Sequence, residues 1–288
     1  MILVAGGSGQ VGRWLSVLGE SRVHALSSAE LDVTDVDATS TVVNELRPEY
    51  VVNCAAHTAV DLAEEEPARA SAINGQGAEN LARAATSVGS RFIQVSTDYV
   101  FGEAAVLDKP LAEDHPCFPL SVYGRTKLAA EVAVRAVCPE ATIVRTAWVY
   151  TGPSRKRLEL AGNDFVTTML ALEASRDTIS VVDDQIGSPT FAHDLAAGLL
   201  ELTDSGAGVG STLHAAGGGQ ASWCDLARAV FEEIGADPGR VHACTTDAFP
   251  RPAPRPAFSV LSSAAWEDVG LAPLRDWREA VSAAVAMS

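Results

Sequence analysis

Apolar residues in this chain gather in short unbroken runs, separated by longer stretches with helical spacing. The runs at 2–5 (ILVA), 22–26 (RVHAL), 50–54 (YVVNC), 91–96 (RFIQVS) and 141–147 (ATIVRTA) read as strands. Strands apolar on both faces belong in a buried parallel sheet. Helical patterns lie between them at 10–19, 38–46, 67–88 and 121–137. Pro48 and Pro139 follow two of these; another opens with Pro67 and closes at Gly89, the expected start and stop signals. The alternation predicts an α/β fold with a doubly wound parallel sheet. After Tyr150 the rhythm breaks into a locally basic loop. A helix near 164–175, a strand near 178–182 and a helix near 191–203 follow. Residues 249–258 (FPRPAPRPAF) carry four prolines in ten and must be extended and irregular. The expected division is a dinucleotide-binding part at 1–150, with a returning segment near 190–205, and a smaller, mainly substrate-binding part at 151–288.

Composition narrows the class. With 288 residues and 47% hydrophobic positions the chain can bury a full core. Its net charge of −16 disfavours nucleic acid and anionic membranes as partners. The five cysteines form no C-x-x-C pair and are odd in number, which points to reduced thiols and a cytoplasmic setting. A strand beginning at Ile2 leaves no room for a signal peptide, and no apolar run approaches the ~20 residues of a membrane span. The histidines show no metal-ligand spacing, so no metal site is expected.

Gly6, Gly9 and Gly12 follow the first strand and open the first helix. In a Rossmann sheet Gly6 takes the tight turn, Gly9 lets the backbone approach a pyrophosphate and Gly12 lets the helix pack on the strand. The second strand ends in Ser27-Ser28, with no acid until Glu30, and Arg13 follows the last glycine. Both features favour NADPH, with NADH as the alternative; Arg13 reads equally well as a solvated residue. Thr97 closes the fourth strand, where hydroxyls face the ligand crevice. Tyr123 and Lys127 lie four apart on one helical face. A lysine ammonium beside a phenol should lower its pKa and suit it to deliver a proton. His57 reads as a cofactor-lining loop residue among small neighbours. Asp61, Glu64, Glu65 and Glu66 read as a solvated helix start. Arg155, Lys156 and Arg157 read either as a solvated loop or as a grip on a diphosphate.

Several segments together resemble one family. GGSGQVG (6–12), NCAAHTAVD (53–61), STDYVF (96–101), PLSVYGRTKL (119–128), RTAWVY (145–150) and DQIGSPT (184–190) are similar to dTDP-4-dehydrorhamnose reductases, a branch of the extended short-chain dehydrogenase/reductases. The likeness runs from the first strand to about residue 261. It implies NADPH- or NADH-dependent reduction of the C4 ketone of a dTDP-4-dehydro-6-deoxyhexose, by a monomer or homodimer. Thr97, Tyr123 and Lys127 would be the catalytic trio. Gly9, Gln10 and Val11 would touch the pyrophosphate. Ser27, Asp32 and Val33 would lie near the adenosine, and Ala55, Ala56, His57 and Thr58 along the cofactor. Asp98 and Trp148 would contact the sugar, with Asn163, Phe165, Gln185, Pro189 and Arg255 as further substrate-side candidates.

The sequence departs from that family's usual pattern at Ser27, in a longer loop between Tyr150 and Asn163, and at Pro254 and Phe258. The last two resemble variation among ketoreductases that make deoxysugars for antibiotic glycosides, an alternative substrate class. A non-catalytic dinucleotide-binding regulatory subunit is a rival, though it need not retain Tyr123, Lys127 and Thr97. Dehydratase chemistry would call for an Asp-Glu pair beside the strand-end hydroxyl, where this chain has Asp98-Tyr99.

Overall fold

The computed structural model describes residues 1–102 and 109–287. The strands are β1 (Ile2–Ala5), β2 (Val23–Leu26), β3 (Tyr50–Asn53), β4 (Arg91–Thr97), β5 (Thr142–Thr146), β6 (Val149–Tyr150), β7 (Ile179–Val182), β8 (Ile186–Gly187), β9 (Thr190–Phe191), β10 (Thr212–His214), β11 (Ala221–Ser222) and β12 (Val241–Cys244). The helices are α1 (Gln10–Gly19), α2 (Val36–Leu46), α3 (Val60–Glu65), α4 (Pro67–Ser71), α5 (Gly77–Ser87), α6 (Val122–Val137), α7 (Phe165–Glu173), α8 (Ala192–Ser205), α9 (Trp223–Glu233), α10 (Ala264–Asp268) and α11 (Trp277–Ala286).

Six strands form one parallel sheet in the order β10-β5-β4-β3-β1-β2. Alternate strand residues point to opposite faces, and both faces are covered. Ile2, Val4, Val52, Ile93 and Val144 enter one core with α1, α8 and α9. Leu3, Ala5, Val51, Phe92 and Ile143 enter the other with α5 and α6. Each fully buried Val or Leu side chain contributes about 1.5–3 kcal/mol, so a two-sided apolar strand is firmly held. The chain leaves β1 toward β2 and returns to the other side of β1 through β3. That reversal opens a crevice beyond the carboxyl ends of β1 and β3.

The expected helix 67–88 is not continuous. A π-helical turn, Ala72–Gln76, joins α4 to α5. Such turns redirect a side chain at the cost of regular hydrogen bonding, and here the redirected residue is the buried Asn74. Beyond Tyr150 the chain forms small pairs, β6 with β9, β7 with β12 and β8 with β11. It also gains α9 and α11, which lie outside the helices expected above. The strap 249–258 is free of helix and of extended strand.

Two members of the acidic run, Asp61 and Glu64, are engaged rather than solvated, while Glu65 is exposed as the sequence implied. Asp61 accepts two hydrogen bonds from the Arg255 guanidinium, at 2.6 and 2.9 Å. Glu64 Oε1 accepts the backbone N–H of Val122 at 2.7 Å and so caps the first turn of α6 together with Ser121. Losing such a cap costs about 0.5–2 kcal/mol. Glu64→Ala should therefore lower the melting temperature by about 2–4 °C per kcal/mol lost. An unchanged melting curve would mean that the cap carries no stability.

Candidate active site

A cleft of about 1230 Å³ opens at the carboxyl edge of the sheet. It exceeds the ~300–1,000 Å³ of a typical single-ligand pocket and has room for two ligands. Gly6, Gly9, Gln10, Val11, Gly12, Asp32, Val33, Ala55, Ala56, His57 and Thr58 line one part of it. Thr97, Asp98, Tyr123, Lys127, Trp148 and Asn163 line the rest.

The glycine turn fits a pyrophosphate. Gly6 has φ +84°, a left-handed backbone. A Cβ on Gly12 would stand 2.4 Å from the Gly6 carbonyl oxygen, so α1 can start this close to the turn only without a side chain there. Gly9 caps α1 without a side-chain hydrogen bond, and no acid sits in the first turn. The free N–H groups and the positive end of the helix dipole thus face the cleft. The Gln10 side chain is committed elsewhere: it donates to the Val149 carbonyl at 3.3 Å and accepts from Thr151 Oγ1 at 2.8 Å. Its contribution to a phosphate is its backbone.

At the end of β2 the structure adds a carboxylate that the sequence spacing hid. Glu30 folds back to accept the Ser27 hydroxyl at 2.7 Å and the Ser27 N–H at 2.8 Å. These bonds, helped by His24 and Arg13, hold its carboxyl below the ordinary range. Ser27 and Arg13 stand beside the cleft rather than among the residues lining it. Asp32 lines it, but its Oδ1 is taken by the N–H and hydroxyl of Thr34.

Tyr123 and Lys127 both face the cleft from α6. Lys127 Nζ donates to the Val95 carbonyl on β4 at 2.7 Å. Burial pushes its pKa down to about 8, against the pull of Glu131 and Cys54. Tyr123 differs from expectation: burial pushes its pKa up to about 12, only partly offset by the Thr97 hydroxyl beside it, and Asp98 raises it further. Desolvation outweighs any help from Lys127, whose ammonium is turned to Val95. At neutral pH Tyr123 therefore keeps its proton, the state a proton donor needs. Tyr99 packs edge-on against its ring at 5.5 Å.

Asn74, which sequence reasoning missed, fastens the cofactor loop to α6. Its Oδ1 accepts the His57 N–H at 2.7 Å, and its Nδ2 donates to Thr126 Oγ1 at 2.9 Å. Trp223 was missed as well. Its ring stacks on that of Trp148 at 3.6 Å, nearly parallel, and both line the cleft. Trp148 holds a left-handed backbone with φ +46°, a strained geometry for a bulky residue. Phe165 and Gln185 lie behind this pair: Phe165 tilts against Trp223 at 4.7 Å, and Gln185 accepts the Trp223 indole N–H at 3.1 Å. Pro189 packs against Gly217, away from the cleft lining. Arg255 is paired with Asp61 and sits beside the Tyr99 hydroxyl.

Of the basic loop only Arg155 is buried, while Lys156 and Arg157 are exposed. Arg155 is buried, donates to the carbonyls of Ala161 and Gly162, and lies 3.7 Å from Asp164. Arg157 stands over the Trp14 ring. Among the described residues no group of three His, Cys, Asp or Glu is placed to hold a metal ion, and no helix is long and apolar enough to cross a membrane.

The family model described as RmlD substrate binding domain matches residues 1–288. The chain is 49% identical to a dTDP-4-dehydrorhamnose reductase of Mycolicibacterium smegmatis, over 99% of this chain and 85% of that one. It is 40% identical to a dTDP-4-keto-6-deoxy-D-glucose reductase of Streptomyces niveus, over 98% and 95% of the two chains. Its fold superposes, with a TM-score of 0.91, on the crystal structure of a dTDP-4-dehydrorhamnose reductase from Bacillus anthracis in complex with NADP; the two are 32% identical over 100% of this chain and 99% of that one. With a Rossmann sheet, a glycine turn and a Tyr-Lys pair in one cleft, the chain belongs to the dTDP-4-dehydrorhamnose reductase family of extended short-chain dehydrogenase/reductases.

Proposed function

We propose that this chain is an NADPH-dependent oxidoreductase that reduces the C4 ketone of a dTDP-4-dehydro-6-deoxyhexose. The observation that carries the reading is the meeting of Thr97, Tyr123 and Lys127 with the glycine turn in one cleft. The reduced nicotinamide supplies the hydride when bound. Tyr123 holds a proton for the oxygen that gains charge at C4. Lys127 binds the nicotinamide ribose and stabilises the phenolate left behind. Thr97 holds the Tyr123 phenol beside the carbonyl. The Trp148–Trp223 pair forms the wall for the sugar, and Asn163 and Arg155 border the nucleotide side. Residues 1–150 serve mainly the cofactor and later segments mainly the substrate. The setting is the cytoplasm, and the enzyme is a monomer or homodimer.

NADPH is the favoured cofactor, because the Glu30 carboxylate is engaged by Ser27 and Arg13 lies near it. The test follows NADPH and NADH oxidation at 340 nm with enzymatically generated dTDP-4-keto-6-deoxyglucose, with and without a 3,5-epimerase. Turnover that requires the epimerase is the expected result and identifies a rhamnose-type reductase. Turnover without it identifies a D-sugar ketoreductase. Oxidation of neither cofactor in either mixture rejects both substrates.

A further inference from the structure

The substrate-side strap and the catalytic threonine are joined through one buried carboxylate. Asp98 is 1% exposed and Ser259 2%. Asp98 Oδ1 accepts the Thr97 hydroxyl at 3.0 Å, and Oδ2 accepts the Ser259 hydroxyl at 2.7 Å. Ser259 directly follows the proline-rich strap and is itself fixed, its N–H donating to the Ile186 carbonyl at 2.8 Å. Thr97 Oγ1 in turn accepts the Tyr99 N–H at 3.2 Å.

We propose that Asp98, held by Ser259, is a positioning residue for the reaction: it fixes the direction of the Thr97 hydroxyl beside Tyr123. A hydroxyl has one proton to give. While Asp98 is a carboxylate, the Thr97 proton points to it, and Thr97 meets the Tyr123 hydroxyl only as an acceptor. Of the two hydroxyls, Tyr123 and not Thr97 then has a proton to give. When Asp98 is protonated, its acid proton turns to Thr97, the Thr97 proton swings toward the phenol, and the ordering is lost. The Asp98 charge also helps keep the Tyr123 proton in place. Ser259 makes this depend on the strap, so the ordering is complete only when the C-terminal segment is seated. The Asp98 side chain faces this network, which extends the sugar contact implied for it by resemblance.

The titratable groups facing Asp98 are Tyr99 on its own turn, Tyr123 on α6 and, beyond Tyr99, Arg255 on the strap. Burial raises the Asp98 pKa to about 6, opposed by the Ser259 and Thr97 hydroxyls. The charged form prevails above that value, so kcat should fall as pH drops through it. Removing the Ser259 hydroxyl removes a bond that favours the charge. The acid limb should then move to higher pH.

The kinetic arm rests on the ketoreductase reading; a second arm does not. In the full-length protein, kcat is measured against pH for wild type, Ser259→Ala and Asp98→Asn with the keto-sugar that wild type accepts. In parallel the Asp98 carboxyl is titrated by ¹³C NMR in wild type and Ser259→Ala, with Asp98→Asn for assignment and no substrate present. We expect the limb and the NMR titration of Ser259→Ala to rise together by about half a unit to one unit. Asp98→Asn should show no acid limb and a kcat lowered about tenfold at every pH, with the KM for NADPH held. An NMR titration that Ser259→Ala leaves in place overturns the coupling. An acid limb that survives in Asp98→Asn overturns the positioning role. A wild-type protein inactive on every keto-sugar, with the NMR shift present, overturns the substrate reading and leaves the coupling standing.

Discussion

Tyr123→Phe should reduce kcat for keto-sugar reduction by about 10²–10⁴-fold, the usual contribution of a placed proton donor. The substitution removes a single oxygen. The ring keeps its edge contact with Tyr99 at 5.5 Å, so folding and NADPH affinity should hold. The expected size follows from the charge state. Burial pushes the Tyr123 pKa up to about 12, so the group carries its proton throughout the working range. Phenylalanine leaves no hydroxyl in its place: the Thr97 hydroxyl is turned to Asp98, and Lys127 gives one of its N–H bonds to the Val95 carbonyl. The pH dependence has a second edge. The Lys127 pKa is pushed down to about 8 by burial; below that value the ammonium is present, and above it the charge that stabilises the phenolate is lost. Wild-type kcat should fall on the alkaline side accordingly. The measurements are single-turnover NADPH oxidation at 340 nm and NADPH affinity by fluorescence. A variant within twofold of wild-type kcat would show that the proton comes from elsewhere.

The legible parts of this molecule are those where one local force decides. β1, β3, β4 and β5 were readable because each is largely buried on both faces, which leaves a mostly apolar run. The glycine turn was readable because its requirement is steric and lies within seven residues. The opaque parts depend on partners distant in the chain. Asp61 meets Arg255 across 194 positions and Glu64 caps Val122 across 58; locally they look like any acidic helix start. Ser259 meets Asp98 across 161 positions, and nothing in the strap marks it out. Asn74 required a π-helical turn that propensity cannot foresee. Helix α9 was open to prediction, since Ser222 and Asp225 form a capping box. Reading that signal would have placed Trp223 at its first position. The pKa of Tyr123 was misjudged because spacing reveals a neighbouring lysine but not the depth of burial, and burial won.

Gly12→Ala should weaken NADPH binding by roughly 100-fold or more, about 2.7 kcal/mol, and should also lower stability. A Cβ at this position would lie 2.4 Å from the Gly6 oxygen, 2.8 Å from the Gly7 Cα and 3.0 Å from the Gly6 carbonyl carbon. All three are backbone atoms of the turn, so no side chain can swing aside. Either α1 withdraws or the turn opens, and both move the N–H groups that would hold the pyrophosphate. The turn's own closure, Gly9 N–H to the Gly6 oxygen at 3.0 Å, would be strained by the same shift. Gly9→Ala is the control that separates crowding from generic loss of a glycine. Its Cβ would meet only the Gly6 oxygen, at 3.3 Å, and its backbone, φ −79° and ψ 170°, suits any residue. That variant should melt near wild type and lose affinity only so far as its methyl intrudes on the phosphate. Both variants are measured by thermal melting and by NADPH titration. If Gly12→Ala binds NADPH as wild type does, the cofactor does not lie on this turn, and the chemistry assigned to Tyr123 loses its hydride source.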